Sequence, residues 1–167
     1  AARNGGDFFM FAEVCSRDRN VTYRGQDRLS PYFYTWTEKK NYTWDTYKHG
    51  SGSSRLDKYN SVDGKDVLDA ADDAATANWG SNWRMPTHEE QVELNDKCKW
   101  TWTTRNGVKG YNVTGPNGNS IFLPAADYRE GRGVYGVGSY GYYWSASLNE
   151  SSPYSAWSMG FYSDDHD

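Results

Sequence analysis

Leucine, isoleucine and valine are scarce in this chain of 167 residues, and the mean hydropathy is −0.95. A core built on aliphatic side chains is excluded. Aromatic residues make up 17%, with Trp and Tyr far ahead of Phe, so rings have to fill the interior. No apolar run approaches the roughly 18 residues of a membrane span, and the opening AARNGGDFF is not a signal peptide, so the chain reads as trimmed at its N-terminus. Basic charge is not in excess: at a net charge of −4, nothing draws the chain toward nucleic acid or an anionic membrane. Cysteine is limited to Cys15 and Cys98, without a C-x-x-C pair, which rules out a disulfide scaffold and a zinc or redox motif. One bridge and two free thiols both fit. The length is that of one domain, residues 1–167.

Four kinds of segment follow one another. The run DFFMFAEV near the start is strand-like, and the charged stretch between Cys15 and Tyr34 reads as an exposed excursion. Asp66 to Asn78 places Val67, Leu68, Ala71, Ala74 and Ala75 at offsets that share a helical face, which predicts a helix with its acids in solvent. Thr87-His88-Glu89-Glu90 is a capping box and predicts a second helix from His88 to about Cys98. Beyond Trp100, short strands alternate with Asn106-Gly107 and Asn117-Gly118, pairs suited to type I′ hairpins. Strands, two helices and then hairpins predict an α+β domain rather than a doubly wound sheet.

The stretch GRGVYGVGSYGYYW holds G-x-G-x-x-G twice, at Gly131-Gly133-Gly136 and Gly136-Gly138-Gly141. A phosphate loop of that kind must open a helix, and YYWSASLNESSPYSAW is poor helix material, so the glycines are expected to serve an irregular loop. The last quarter differs from the rest in another way. No lysine follows Lys109, residues 127–167 hold seven tyrosines and two tryptophans, and the segment alone sums to −4. Tyr, Ser, Gly and Asn with a few Arg and Trp are the vocabulary of a contact surface, rigid rings for area and small residues for adaptable bonds.

The motifs NWGSNWRMPT, CKWTWTT with NGVKGY, SIFLPAA and GYYWSAS, in that order, resemble the Fibrobacter major paralogous domain family over roughly residues 66–167. GGDFF and YTWDTYKHG resemble its N-terminal part. That family is similar to the formylglycine-generating-enzyme type of C-type lectin fold, shared by variable proteins of diversity-generating retroelements. The resemblance implies a C-type-lectin-like domain with two helices, a small, mostly antiparallel sheet and a C-terminal face that displays ligand contacts. The stretch Tyr128 to Asp167 corresponds to the diversified surface. Relatives usually have a strand before GGDFF and another after YSDD, so the expectation is a domain lacking both, either a fragment or a chain paired by another copy. Residues Cys15 to Tyr34 have no counterpart in the family, and Asp127 stands where the family often has Gly.

The function expected is an extracellular ligand- or receptor-binding module, on a bacterial surface or a phage fibre tip, recognising a protein or glycan receptor. A fixed carbohydrate-binding or adhesin domain is the alternative. The expected contacts are Tyr128, Arg129, Arg132, Tyr135, Tyr140, Tyr143, Asn149, Tyr154, Tyr162, Asp164 and His166. In the alternating run Tyr142-Tyr143-Trp144, Trp144 is expected inside and Tyr143 outside. Trp79, Trp83, Arg84 and Met85 are expected to be scaffold, a binding groove being the alternative. No catalytic residue, cofactor or metal is expected: His49, His88 and His166 are dispersed, and no G-x-S-x-G is present. Formylglycine-generating enzymes act through C-terminal cysteines, and none follows Cys98 here. Asp164, Asp165 and Asp167 read as a solvated acidic end rather than a calcium site.

Overall fold

The computed structural model describes residues 17–18, 37–38, 44, 47–52, 55–60, 62–126, 128–130, 133–135, 138–149 and 155–166; of 17–18, 37–38, 128–130 and 133–135 it describes the backbone alone. The expected N-terminal strand, Cys15 and most of the charged excursion lie outside these residues, as do Arg132, Tyr154 and Asp167. Within them the protein is α+β, with two helices and small antiparallel sheets. β1 (Arg17–Asp18) pairs with β2 (Thr37–Glu38).

The helices follow local chemistry only in part. α1 spans Ala74–Trp79 and is half the length that periodicity predicts. Asp72 and Asp73 are the reason: both are buried and commit their carboxylates to partners that a helix from Asp66 would turn away. Asp73 caps α1 by accepting from the Thr76 N–H at 2.8 Å and also accepts from the Met85 N–H at 2.8 Å. Before it, Val67 lies extended and bridges to Ser147.

α2 runs His88–Lys97, one residue short of the prediction, and its capping box is complete. Glu90 accepts from the Thr87 N–H at 2.9 Å, and Arg84 grips both Glu90 oxygens at 2.6 Å. That fork and the Thr87 N–H hold the Glu90 carboxyl down to about 2. Arg84 thus serves the scaffold, as expected, through Glu90 and the Met85 carbonyl.

β3 (Lys99–Arg105), β4 (Val108–Thr114) and β5 (Ser120–Pro124) form an antiparallel meander. Asn106 and Gly107 turn the first hairpin with φ of 52° and 81°, as a type I′ turn requires. The second Asn-Gly pair works differently. The Gly118 N–H donates to the Gly115 carbonyl and the Gly115 N–H to the Asn119 carbonyl, so Pro116-Asn117-Gly118 form a three-residue loop in which Gly118 takes the positive φ of 81°. Pro116 prefers φ near −65°, which suits a type I turn and excludes type I′ here.

β6 (Tyr128–Glu130) and β7 (Gly133–Tyr135) pair as a short hairpin, and β8 (Tyr140–Leu148) pairs with β9 (Ala156–Tyr162). The described part of the glycine-rich stretch opens no helix, as expected, but Gly133 and Gly141 lie within strands where an irregular loop was expected; Gly131 and Gly136 lie outside the described residues. Between the pairs Trp144↔Ser158 and Leu148↔Ala156, β8 carries two more residues than β9 and bulges. The bulge gives Ser145 to Ser147 new partners: the Ala146 N–H donates to the Pro86 carbonyl, the Leu68 N–H to the Ala146 carbonyl, and the His88 N–H to the Ser147 hydroxyl. These bonds tie the hairpin to the extended stretch before α1 and to the start of α2.

Rings fill the interior, as the composition requires. The larger cluster joins Tyr111, Val113, Ala125 and Phe161, with Leu94, Trp100, Trp102, Leu123 and Tyr143 packed on it. Phe161 stacks on Tyr143 at 5.9 Å and meets Tyr111 edge-on at 5.3 Å. The smaller cluster is Tyr59, Leu68 and Leu148, with Met85 against it.

Candidate binding face

Strand period and pairing divide the β8–β9 hairpin into two faces. Phe161 sits opposite Gly141, and a Cβ on Gly141 would lie 2.2 Å from the Phe161 ring. Only glycine leaves room for that ring. Gly141, Tyr143, Met159 and Phe161 consequently face the core, and Tyr140, Tyr142, Trp144, Ser158, Gly160 and Tyr162 share the other face.

This corrects the sequence expectation at two residues. Tyr142 and Trp144 do share a face with Tyr143 on the other, but the polarity is reversed: Trp144 is 39% exposed and Tyr143 packs on the core. The Tyr143 hydroxyl donates to the Pro124 carbonyl at 2.6 Å, and burial pushes its pKa up. Tyr143 is therefore removed from the contact surface. Tyr143→Phe is expected to cost about 1 kcal/mol, read as a lower urea midpoint at unchanged slope, since one hydrogen bond is lost and the ring stays.

On the outward face four rings gather around two small residues. Tyr142 is 41% and Tyr162 42% exposed, and their hydroxyls lie 3.2 Å apart. Tyr140 meets Tyr162 edge-to-face at 4.7 Å. The Tyr142 ring spreads across Gly160, 3.1 Å from where a Cβ would stand, so glycine there lets it lie close to the sheet. Tyr140, Tyr142 and Tyr162 hold each other in place across the strands, which limits the ordering cost of binding.

The other expected contacts are scattered. Tyr128 and Tyr135 are cross-strand partners in the β6–β7 hairpin, with Arg129 opposite Val134. Asn149 is half-buried at the end of β8, its N–H on the Ser155 carbonyl. Asp164 is exposed in the turn after β9. His166 is a correction: it bridges back to Phe161, stacks on Trp100 at 4.5 Å and bonds Asn95 through Nδ1, closing the edge of the core rather than projecting from it. Burial first, and then the nearby Asp164 and Asp165 charges, raise the pKa of Tyr111 beneath this turn.

Sequence reasoning missed Tyr142 and Trp144 as outward residues, and the missed signal was Gly141, whose cross-strand partner is a phenylalanine. It also placed Trp79 and Trp83 in the scaffold, whereas they are 69% and 58% exposed. Packing of Met85 on the smaller cluster agrees with its expected role.

Among the described residues no group of three or more His, Cys, Asp or Glu side chains is gathered for a metal ion, and no helix is long and apolar enough to cross a membrane. Cys98 carries no disulfide. No protein-family model, curated protein or solved structure matches the chain.

Proposed function

We propose that this is a binding module of C-type-lectin-like architecture, akin to the Fibrobacter major paralogous domain family. Its contact surface is the outward face of the β8–β9 hairpin, and it works outside the cell on a protein or glycan receptor. One observation carries the reading: Tyr140, Tyr142, Trp144 and Tyr162 lie together on an exposed strand face while their alternate neighbours build the core. Tyr142, Trp144 and Tyr162 each keep about two-fifths of their surface in water and Tyr140 is half-buried beside them, so covering this face would recover roughly 1 kcal/mol of burial energy for each exposed ring. Tyr128 and Tyr135 pair across the neighbouring β6–β7 hairpin, and residues 127–167 as a sequence carry a net negative charge. The mechanism is presentation: the bulged, doubly anchored hairpin holds the rings rigid, so binding orders little.

The retroelement resemblance gives this reading a test of its own. Sequencing the gene and its downstream DNA from many isolates should show substitutions at codons 140, 142, 144, 158, 160 and 162, with codons 141, 143, 159 and 161 unchanged and the variable positions matched to adenines in a nearby near-copy. An unvarying outward face without a template copy would leave a fixed adhesin or lectin. Substitutions spread equally over both faces would overturn the assignment of the surface.

A further inference from the structure

The most exposed large aromatic pair among the described residues belongs to other elements, α1 and the loop after it. Trp79 ends α1 and Trp83 follows four residues later, with ring centroids 5.7 Å apart and planes at 74°. Two indoles at nearly a right angle form a corner, one offering its face where the other offers its edge. The corner is rigidly built. The Trp83 N–H donates to the Gly80 carbonyl at 3.0 Å, and the Thr76 hydroxyl donates to the Trp83 carbonyl at 2.7 Å. The buried Asp73 carboxylate then bonds the Thr76 N–H on one side and the Met85 N–H on the other, clamping the loop that carries both rings.

Charge narrows what such a corner would bind. Residues 74–83 read AATANWGSNW and hold no charged side chain, in a chain where 24% of residues are charged. Arg84, the next residue, is neutralised by its two bonds to Glu90. Ser81 and Asn82, exposed beside the rings, supply a hydroxyl and an amide that both donate and accept. An uncharged rim with two-way hydrogen bonders next to flat apolar rings complements an uncharged, polyhydroxylated ligand. A charged polymer would find no counter-charge, and a large apolar partner would bury the amide and hydroxyl unpaired.

We propose that Trp79 and Trp83 form a second binding site, for a neutral glycan, whose pyranose faces stack on the indoles while Ser81 and Asn82 meet the hydroxyls. The site uses no residue of the β8–β9 face and does not depend on it. Affinity electrophoresis of the full chain through gels containing hydroxyethyl cellulose, mixed-linkage β-glucan, galactomannan or, as the charged comparison, polygalacturonate tests it. Expected is retardation by at least one neutral polymer, weakened about tenfold or more by Trp79→Ala or Trp83→Ala, largely kept by Trp83→Tyr, and unchanged by Tyr142→Ala. Intrinsic fluorescence of the same polymer titrations in solution should shift for the wild type and not for Trp79→Ala. Because both rings are exposed, the urea midpoint and slope of each variant should stay close to wild type, and the tyrosine variant covers any alanine variant that does not fold. Migration unaffected by every neutral polymer, retention by polygalacturonate alone, or retention that survives both alanine variants would overturn the proposal. Loss on Tyr142→Ala would move the glycan to the hairpin face and equally overturn it.

Discussion

Phe161→Ala is expected to cost about 4 kcal/mol, the range for emptying a well-packed aromatic site. Phe161 has no exposed surface, and its ring meets Tyr111, Trp100, Trp102 and Tyr143 at centroid distances of 5.3 to 6.4 Å. Aromatic neighbours collapse poorly into a cavity because each ring is held by its own partners. Against a total stability of about 5–15 kcal/mol, that loss is a large fraction. The reciprocal change, Gly141→Ala, puts a methyl 2.2 Å from the Phe161 ring and should itself cost about 2 kcal/mol by overpacking. The two effects have one cause, so they should not add. In Phe161→Ala the methyl of Gly141→Ala enters the space that the ring left, and the double variant should be more stable than the sum predicts by about 2 kcal/mol. Urea midpoints of the four proteins measure this. Simple additivity would mean that Gly141 does not face Phe161, and the outward assignment of Tyr142 and Trp144 would fall with it.

What could be read from the sequence divides along the distance between cause and effect. Thr87 and Glu90 cap α2 within one turn, and Asn106-Gly107 sets its hairpin from two residues, so both were legible. At Asn117-Gly118 the hairpin was legible and the turn type was not, because Pro116 had to be counted as part of the loop. α1 fails for a longer-range reason. A periodic DVLDAADDAATAN looks amphipathic until Asp72 is given its partners, which lie 13 to 24 residues earlier. Strand parity is likewise local and its polarity is not: a period of two says which residues share a face, and only the pairing of Gly141 with Phe161 says which face is inside. The contact vocabulary of 128–167 marked a segment and not a face: composition alone mixed Tyr143 and His166, which serve the core, with Tyr140 and Tyr162, which do not pack on it. NWGSNW has no period at all, so nothing in it marked two indoles as exposed.

Asp72→Asn is expected to cost about 3 kcal/mol at pH 7 and to act first on residues 47–60. The Asp72 side chain is 4% exposed and accepts from Lys48 Nζ at 2.6 Å, Lys58 Nζ at 2.5 Å and the Tyr59 hydroxyl at 2.7 Å, with His49 Nε2 3.5 Å away. Burial works to raise its pKa, but the bonds from Lys48, Lys58 and Tyr59 outweigh it and hold the carboxyl well below the ordinary carboxylate range. On the other side, burial first and then the bond to Asp72 push the Tyr59 hydroxyl up to about 12. Removing one member of a buried pair costs about 3–5 kcal/mol, and the low end applies because Lys48 is half-exposed and Lys58 keeps Asp69 at 2.7 Å. The sign with pH follows from the depressed carboxyl. Its stabilisation is complete above about pH 5, where the unfolded chain is also ionised, and is lost as pH falls below about 4, where the unfolded state takes up the proton first. The gap between wild type and Asp72→Asn should therefore close on acidification. Urea midpoints at pH 7, 5, 4 and 3 follow it, and hydrogen exchange should show the amides of 47–60 opening before those of the β3–β5 meander. A variant within 1 kcal/mol of wild type at pH 7, or a gap that stays constant down to pH 3, would mean that the segment is held by its ring contacts. Those run from Tyr47 to His49 at 5.8 Å and from His49 to Tyr59 at 5.5 Å, and they carry no charge from Asp72.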